Sequence, residues 1–81
     1  MRKSESPNLK DVKSKLGIRF RKLRIQKGHN SLEAFAMEND ISRPLYSNYE
    51  SGKGNITIKN LTKVLSGLDV SLKEFFSEGF E

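Results

Sequence analysis

The sequence predicts a small all-α domain of five helices. Apolar residues recur with the spacing of a helix face, a helix-capping residue precedes most of these stretches, and no stretch alternates as a half-buried strand would. The chain has 81 residues, which suffices for one domain with one hydrophobic core. We therefore expect residues 12–81 to form one compact domain, preceded by a flexible basic arm over residues 1–11.

The first helix is predicted from about residue 12 to Gly28. Its apolar stripe is Val12, Leu16, Phe20 and Leu23. Gly28 suits the left-handed position that commonly follows a helix. The preceding segment, residues 1–11, is polar, contains Pro7 and shows no period, which is typical of a flexible arm.

The second and third helices are predicted to be short and joined by a tight turn. Ser31 and Ser42 each precede a helical stretch, where a serine hydroxyl can accept a hydrogen bond from a free amide. Between the helices, Asn39 and Asp40 tolerate left-handed backbone, and Ile41 supplies an inward apolar side chain. The inward positions of the two helices are Leu32, Phe35, Ala36, Tyr46 and Tyr49. Two short helices joined by about four residues match the helix-turn-helix pattern.

The C-terminal third predicts two further helices. Thr57 is placed to cap the fourth helix, which we expect to end at Gly67. Ser71 and Glu74 have the spacing of a capping box, which predicts a short fifth helix after them. The expected inward positions are Ile58, Leu61, Val64, Leu65 and Leu68 in the fourth helix, and Leu72, Phe75 and Phe76 in the fifth.

Several short motifs occur in one order along residues 14–77. They are Arg24-Ile-Gln-Lys-Gly28, Phe35-Ala36, Ile41-Ser42, Ser47-x-x-Glu50, Gly52-Lys53, Asn60-Leu-Thr-Lys-Val-Leu and Leu72-Lys-Glu-Phe-Phe76. In this register the chain resembles the lambda-repressor/Cro-like, or Xre-type, helix-turn-helix family. The resemblance implies a five-helix, lambda-repressor-like domain that regulates transcription by binding double-stranded DNA. It also implies a structural ion pair between Arg24 and Glu50, which ties the third helix to the first.

Three positions depart from the family pattern. Leu32 stands where the family usually has a glutamine that contacts DNA phosphate, and Asp40 replaces a turn glycine. One residue is also inserted between Gly28 and Ser31. We expect Asn30 and Ser31 to take over the phosphate contact, through their side chains or through backbone amides at the start of the second helix.

The outward side chains of the third helix are predicted to contact base edges in the major groove. They are Arg43, Pro44, Ser47 and Asn48. Arg43 can donate two hydrogen bonds to guanine and Asn48 can pair with adenine, whereas Pro44 offers only apolar contact. The alternative for Arg43 is a phosphate contact or simple solvation.

Positive charge is concentrated at one end of the chain. The net charge is +5, but residues 1–27 hold ten Lys and Arg against two acidic residues, and residues 28–81 hold five against eight. A basic region attracts nucleic acid, although a solvated lysine-rich helix has the same composition. The predicted phosphate contacts are Asn30, Ser31, Lys53, Asn55, Lys59, Arg19 and Lys22. Arg2, Lys3 and Lys10 in the arm could reach the minor groove.

Aromatic residues crowd the C-terminal region. Phe75, Phe76 and Phe80 lie within six residues, which is more aromatic surface than one small core needs. Helix-turn-helix proteins usually bind DNA as dimers, with two reading helices one helical turn apart. We therefore expect a homodimer, formed through the region around these three phenylalanines, on a pseudo-palindromic operator.

Composition argues against an enzyme, a metalloprotein and a membrane protein. The chain has no cysteine and one histidine, His29, so a metal site lacks ligands, and no cofactor is implied. No nucleophile and base are placed together, and Glu50 has no second carboxylate beside it. No apolar run approaches the roughly 20 residues that span a bilayer, and the basic N-terminus leads into no apolar stretch. We expect a cytoplasmic bacterial protein, associated with the nucleoid.

A second function is compatible with the same sequence. The chain could be the antitoxin, or another protein-interaction module, of a toxin–antitoxin pair with this fold. A toxin would then be its main partner and DNA binding would be secondary. Co-purification of a second chain would separate this function from that of a transcriptional regulator.

Overall fold

The computed structural model describes residues 7–80, which form five α-helices and no strand. The helices are α1 (Leu9–Gln26), α2 (Leu32–Glu38), α3 (Arg43–Ser51), α4 (Ile58–Leu68) and α5 (Leu72–Phe75). The all-α class and the number of helices are therefore confirmed. Within residues 7–80, no helix is both long and apolar enough to cross a bilayer.

Helix α1 begins earlier than its apolar stripe predicts. The side-chain oxygen of Asn8 accepts a hydrogen bond from the amide of Asp11 at 2.8 Å and caps the helix, so residues 9–11 are helical rather than part of an arm. Residues 1–6 of the predicted arm lie outside the described residues. Leu9 and Val12 are exposed, and the core begins at Leu16, because the first turns of α1 extend beyond it.

The four shorter helices begin at the residues predicted to cap them. The hydroxyls of the caps accept hydrogen bonds from amides three residues further on, at 3.0–3.3 Å; these caps are Ser31, Ser42, Thr57 and Ser71. Each such cap contributes about 1 kcal/mol to helix stability. Short polar signals therefore fix where α2 to α5 start.

The core draws large side chains from every helix. Those with at most 1% exposure are Phe20, Phe35, Tyr46, Val64, Leu68 and Phe75. The rings of Phe20 and Phe75 lie 5.2 Å apart and join α1 to α5. The rings of Phe35 and Tyr46, 5.3 Å apart, join α2 to α3. The helix-turn-helix unit is thus packed on the same core as the rest of the domain.

Two glycines allow helices to approach closely. A Cβ atom on Gly17 would overlap the backbone carbonyls of Tyr49 and Glu50, so α1 and α3 touch along their backbones. Gly67 was predicted to end α4 but lies inside it, where a Cβ atom would overlap the side chain of Asn39. Helix α4 ends one residue later, and Asp69 takes the left-handed conformation instead.

Candidate nucleic-acid interface

The turn between α2 and α3 is fixed by hydrogen bonds to the end of α2 and by one buried side chain. Asp40 adopts φ 58°, which is the left-handed backbone that the turn requires. The amide of Ile41 donates to the carbonyl of Ala36 at 3.0 Å, and its side chain is buried. The Asn39 side chain donates to the carbonyl of Phe35 at 2.7 Å. These contacts fix the direction of α3 relative to α2.

Two tyrosines anchor the inner face of α3. Tyr46 is fully buried, and its burial, reinforced by the Glu50 carboxylate, raises the pKa of its phenol. The hydroxyl of Tyr49 accepts a hydrogen bond from the Asn60 side chain at 2.9 Å, which joins α3 to α4. Neither ring is available to a ligand, so both act by holding α3 in place.

The ion pair that the resemblance implies joins α1 to α3. Arg24 donates to both carboxylate oxygens of Glu50, with Nε–Oε2 at 2.7 Å and Nη2–Oε1 at 3.1 Å. A third donor, Nη1, reaches the carbonyl of His29 at 2.7 Å. The side chains are 6% and 5% exposed, and the hydrogen bond with Glu50 raises the pKa of Arg24. Glu50 is therefore committed to the fold.

The outer face of α3 carries the side chains predicted to contact bases. Arg43, Pro44 and Asn48 are exposed and Ser47 is half-buried, all within the first two turns of the helix. Pro44 lies in the first turn, where a missing amide costs the helix nothing. The Arg43 Nε atom lies 3.3 Å from a carboxylate oxygen of Glu33 on α2. This face can offer a guanidinium, an amide and a hydroxyl to a partner.

Five predicted phosphate contacts are exposed and flank α3 along the chain. They are Asn30 and Ser31, before α2, and Lys53, Asn55 and Lys59, after α3. Leu32, which replaces the family's glutamine, is half-buried and packs against the core. The departure from the family pattern thus exchanges a polar surface residue for additional core packing.

The prediction of a phosphate contact from Arg19 is wrong. Its side chain is only 6% exposed, and it donates to the carbonyls of Phe75, at 2.7 Å, and Glu74, at 2.9 Å. Its Nη1 atom also lies 3.2 Å from the Glu78 carboxylate. Lys22 faces the same carboxylate at 3.0 Å, and this contact lowers the pKa of Glu78. Arg19 therefore holds the C-terminal segment on α1. Lys22 is 53% exposed and adds only a surface ion pair, so its phosphate contact stays a prediction.

Sequence reasoning missed Lys13 as a neighbour of the interface. A Cβ atom on Gly52 would stand 3.2 Å from the Ser14 Cα and 3.6 Å from the Lys13 carbonyl. The first half of α1 therefore passes beside the loop that carries Lys53. Helix periodicity separates the faces of α1 but does not say which face lies beside which loop, so no signal in the sequence could have placed Lys13 here.

An apolar groove, which we call the α4–α5 groove, is lined by residues of α4 and of the segment that leads into α5. Ile58 and Leu72 were predicted in the core, but they are 78% and 61% exposed. They line the groove with Leu61, Leu65 and Val70. Of the three phenylalanines around which the dimer contact was expected, Phe75 is fully buried and belongs to the core. Phe76 is exposed and stacks on Phe80, with ring centroids 4.7 Å apart.

Residues 7–80 contain no group of His, Asp and Glu side chains arranged to hold a metal ion. The outer face of α3 presents polar side chains, and exposed amide, hydroxyl and lysine side chains flank it along the chain. Such a face can donate hydrogen bonds to base edges and neutralise phosphate charge.

Comparison with known proteins relates the chain to regulators. The Helix-turn-helix family model matches residues 20–75. Control protein C.MunI from Mycoplasma sp is 40% identical over 70 residues, which are 86% of this chain and 95% of that protein. Control protein C.BamHI from Bacillus amyloliquefaciens is 30% identical over 64 residues, 79% of each chain.

A solved structure extends this relation to three dimensions. The restriction-modification controller protein C.Esp1396I, crystallised as a tetramer in complex with its natural 35 base-pair operator, is 32% identical. It superimposes with a TM-score of 0.73, over 89% of this chain and 90% of its own. The likeness therefore covers the whole helical domain rather than the two helices of the motif alone.

Proposed function

Because this chain belongs to the helix-turn-helix family of DNA-binding transcription regulators, we propose that it is the controller protein of a restriction–modification system. Its 40% identity with a control protein over nearly that protein's full length supports this function. The observation that carries the proposal is the division of α3, whose inner face is buried and ion-paired while its outer face presents exposed polar side chains.

In this function the outer face of α3 enters the major groove. Arg43 donates to a guanine and Asn48 pairs with an adenine, each worth about 1–3 kcal/mol of discrimination between bases. Ser47 adds a hydroxyl and Pro44 an apolar contact. All four residues lie in the N-terminal part of α3, which is the part that a recognition helix brings to the bases.

Phosphate contacts then set the position of α3 in the groove. The proposed contacts come from two groups of exposed residues: Asn30 and Ser31 before α2, and Lys53, Asn55 and Lys59 after α3. Lys13, beside the Gly52 turn, adds to the second group. These contacts carry no sequence information, but they fix the register and orientation of the domain on the duplex.

A second copy of the chain covers the α4–α5 groove. Exposed Ile58 and Leu72, beside Leu61 and Leu65, form an apolar surface that water solvates poorly. A two-fold dimer would present two α3 helices to half-sites about 34 Å apart. The operator complex of C.Esp1396I, a tetramer, supports assembly on DNA.

The antitoxin alternative gains no support from these relatives, which are control proteins and a restriction-modification controller. A regulator of this kind works where the chromosome lies, so we place it in the bacterial cytoplasm at the nucleoid. No catalytic step is assigned to it, since Glu50 is occupied by Arg24.

Selection of bound duplexes from a random pool tests the proposal. We expect enrichment of a short pseudo-palindromic site that also occurs upstream of the protein's own gene, near genes for a restriction endonuclease and a methyltransferase. Affinity for this site should fall steeply as salt rises, because binding releases counterions from the phosphates. A pool that enriches no sequence would overturn the proposal.

A further inference from the structure

An ion pair crosses the helix-turn-helix at its DNA-facing end. Glu33 lies in the first turn of α2 and Arg43 is the first residue of α3. The Arg43 Nε atom stands 3.3 Å from Oε1 of Glu33, and the side chains are 62% and 67% exposed. The pair therefore joins the two helices at the surface that the proposed function brings to DNA.

Other acidic groups near this surface have other partners or positions. The Asp40 carboxylate pairs with Lys63 at 3.3 Å, and Glu50 is buried with Arg24. Glu38 lies at the opposite end of α2 from Glu33. Glu33 is thus the carboxylate that meets the guanidinium of the proposed reading arginine.

The geometry of the contact leaves the reading end of the guanidinium usable. Glu33 engages Nε, at the inner edge of the group, and a guanidinium held there can still donate from its two Nη atoms to guanine O6 and N7. A free arginine side chain samples many rotamers, some of which reach phosphate instead of a base. A carboxylate beside it restrains this motion and also repels phosphate.

We propose that Glu33 is a specificity-determining residue that acts through Arg43. It holds the guanidinium towards the base and away from the backbone, so it strengthens discrimination at the expense of non-specific affinity. This inference rests on the proposed function, because it requires Arg43 to contact a base. Glu33 itself is a positioning residue.

The test compares Glu33→Gln with the wild-type chain on two duplexes: the site selected from the random pool and the same site with the Arg43-contacted base pair exchanged. Glu33→Gln should bind the exchanged duplex more tightly and lower the ratio of the two affinities about two- to fivefold, the range of an exposed ion pair. Glu38→Gln is the matched control, because it removes one charge from the same helix without touching Arg43. It should change both affinities by the same factor.

A double-mutant cycle separates this inference from the proposed function. In an Arg43→Ala background, Glu33→Gln should no longer change the affinity ratio. If Glu33→Gln shifts both affinities equally, as Glu38→Gln does, then Glu33 is only a surface charge and the inference fails while the proposed function stands. If Arg43→Ala leaves the affinity ratio unchanged, the assignment of Arg43 as a reading residue fails, and the role of Glu33 fails with it.

Discussion

Two arginines of α1 are buried for different purposes. Arg24 meets the carboxylate of Glu50 and fixes the recognition helix, whereas Arg19 donates to backbone carbonyls of Glu74 and Phe75 and fixes the C-terminal segment. In each case the guanidinium satisfies a buried group, the Glu50 carboxylate for Arg24 and the Phe75 carbonyl for Arg19, which would otherwise lose its partner. Each arginine therefore contributes to stability because its removal would leave a buried acceptor without a hydrogen bond.

Replacement of Glu50 by alanine should destabilise the domain strongly. The change leaves the Arg24 guanidinium buried without its carboxylate, at a cost of about 3–5 kcal/mol. We expect a lower melting temperature by circular dichroism and weaker operator binding together, because α3 loses its tie to α1. Glu38→Ala, at the exposed end of α2, is the control and should melt like the wild type. A Glu50→Ala variant with wild-type melting would contradict the role assigned to the pair.

Replacement of Arg43 or Asn48 by alanine should relax sequence preference without unfolding the domain. Both side chains are exposed, so thermal stability should stay near that of the wild type, while discrimination falls by about 1–3 kcal/mol at one base pair for each variant. Competition binding with singly exchanged operators measures this loss. Ser51→Ala, at the exposed end of the same helix, should leave the preference intact. Retention of the full preference in both variants would mean that another element reads the DNA.

At the scale of helices, local sequence signals predicted where each helix begins better than they predicted what packs against it. The starts of α2 to α5 depend on one hydroxyl and one amide each, so the sequence reveals them. Asn8 forms the same kind of cap, but residues 1–11 are polar and contain Pro7, so they were assigned to an arm and the start of α1 was predicted too late. Ile58 and Leu72 were assigned to the core because periodicity identifies an apolar face but not what covers it.

Whether the role of a buried arginine could be predicted depended on the kind of partner it meets far away in the sequence. The Arg24–Glu50 pair could be inferred because both residues belong to the motifs of one family. Arg19 could not be placed in this way, since two of its partners are backbone carbonyls, which have no sequence signature. Its charge alone made it look like a phosphate contact.

Arg19 and Lys53 should respond to alanine substitution in opposite ways. Arg19→Ala should lower the melting temperature, because it removes the side-chain hydrogen bond to the buried carbonyl of Phe75, but leave the salt dependence of DNA binding unchanged. Lys53→Ala should keep the melting temperature and reduce the slope of log affinity against log salt by about 0.9. DNA titrations at several salt concentrations, below the melting temperature of each variant, measure the two slopes, and thermal melts by circular dichroism measure the two stabilities. If Arg19→Ala reduced the salt slope as much as Lys53→Ala does, Arg19 would be a phosphate contact after all.

At the scale of the whole molecule, the proposed DNA-binding surface and the apolar groove are formed by different residues. The first is formed by α3 and its flanking loops, and the second is the α4–α5 groove. A second copy can therefore cover the groove while both α3 helices stay open to DNA. Family resemblance predicted that a dimer forms, and the aromatic content of the C-terminal region predicted that it forms around Phe75, Phe76 and Phe80. Sequence could not show that Phe75 lies in the core while Phe76 lies on the surface.

Ile58→Glu should abolish the dimer and leave the monomer folded. The side chain is 78% exposed, so the core loses nothing, but a charge in the apolar groove must be desolvated when a second copy binds. Sedimentation equilibrium should report a monomer, and affinity for the full palindrome should fall to that for a half-site. Ile18→Glu, 65% exposed on α1, is the matched control and should remain dimeric. A dimeric Ile58→Glu chain would place the interface elsewhere.

The backbone contact at Gly17 has a consequence for how such proteins diversify. Because α3 is held mainly by its backbone and its inward side chains, its outer positions contribute little to its support, and the ion pair that Arg43 makes with Glu33 is exposed. Four side chains can therefore be substituted without moving α3 relative to the core: Arg43, Pro44, Ser47 and Asn48. A domain of this kind can acquire a new operator through substitutions on the outer face of α3 and at the neighbouring Glu33, while its buried core stays unchanged.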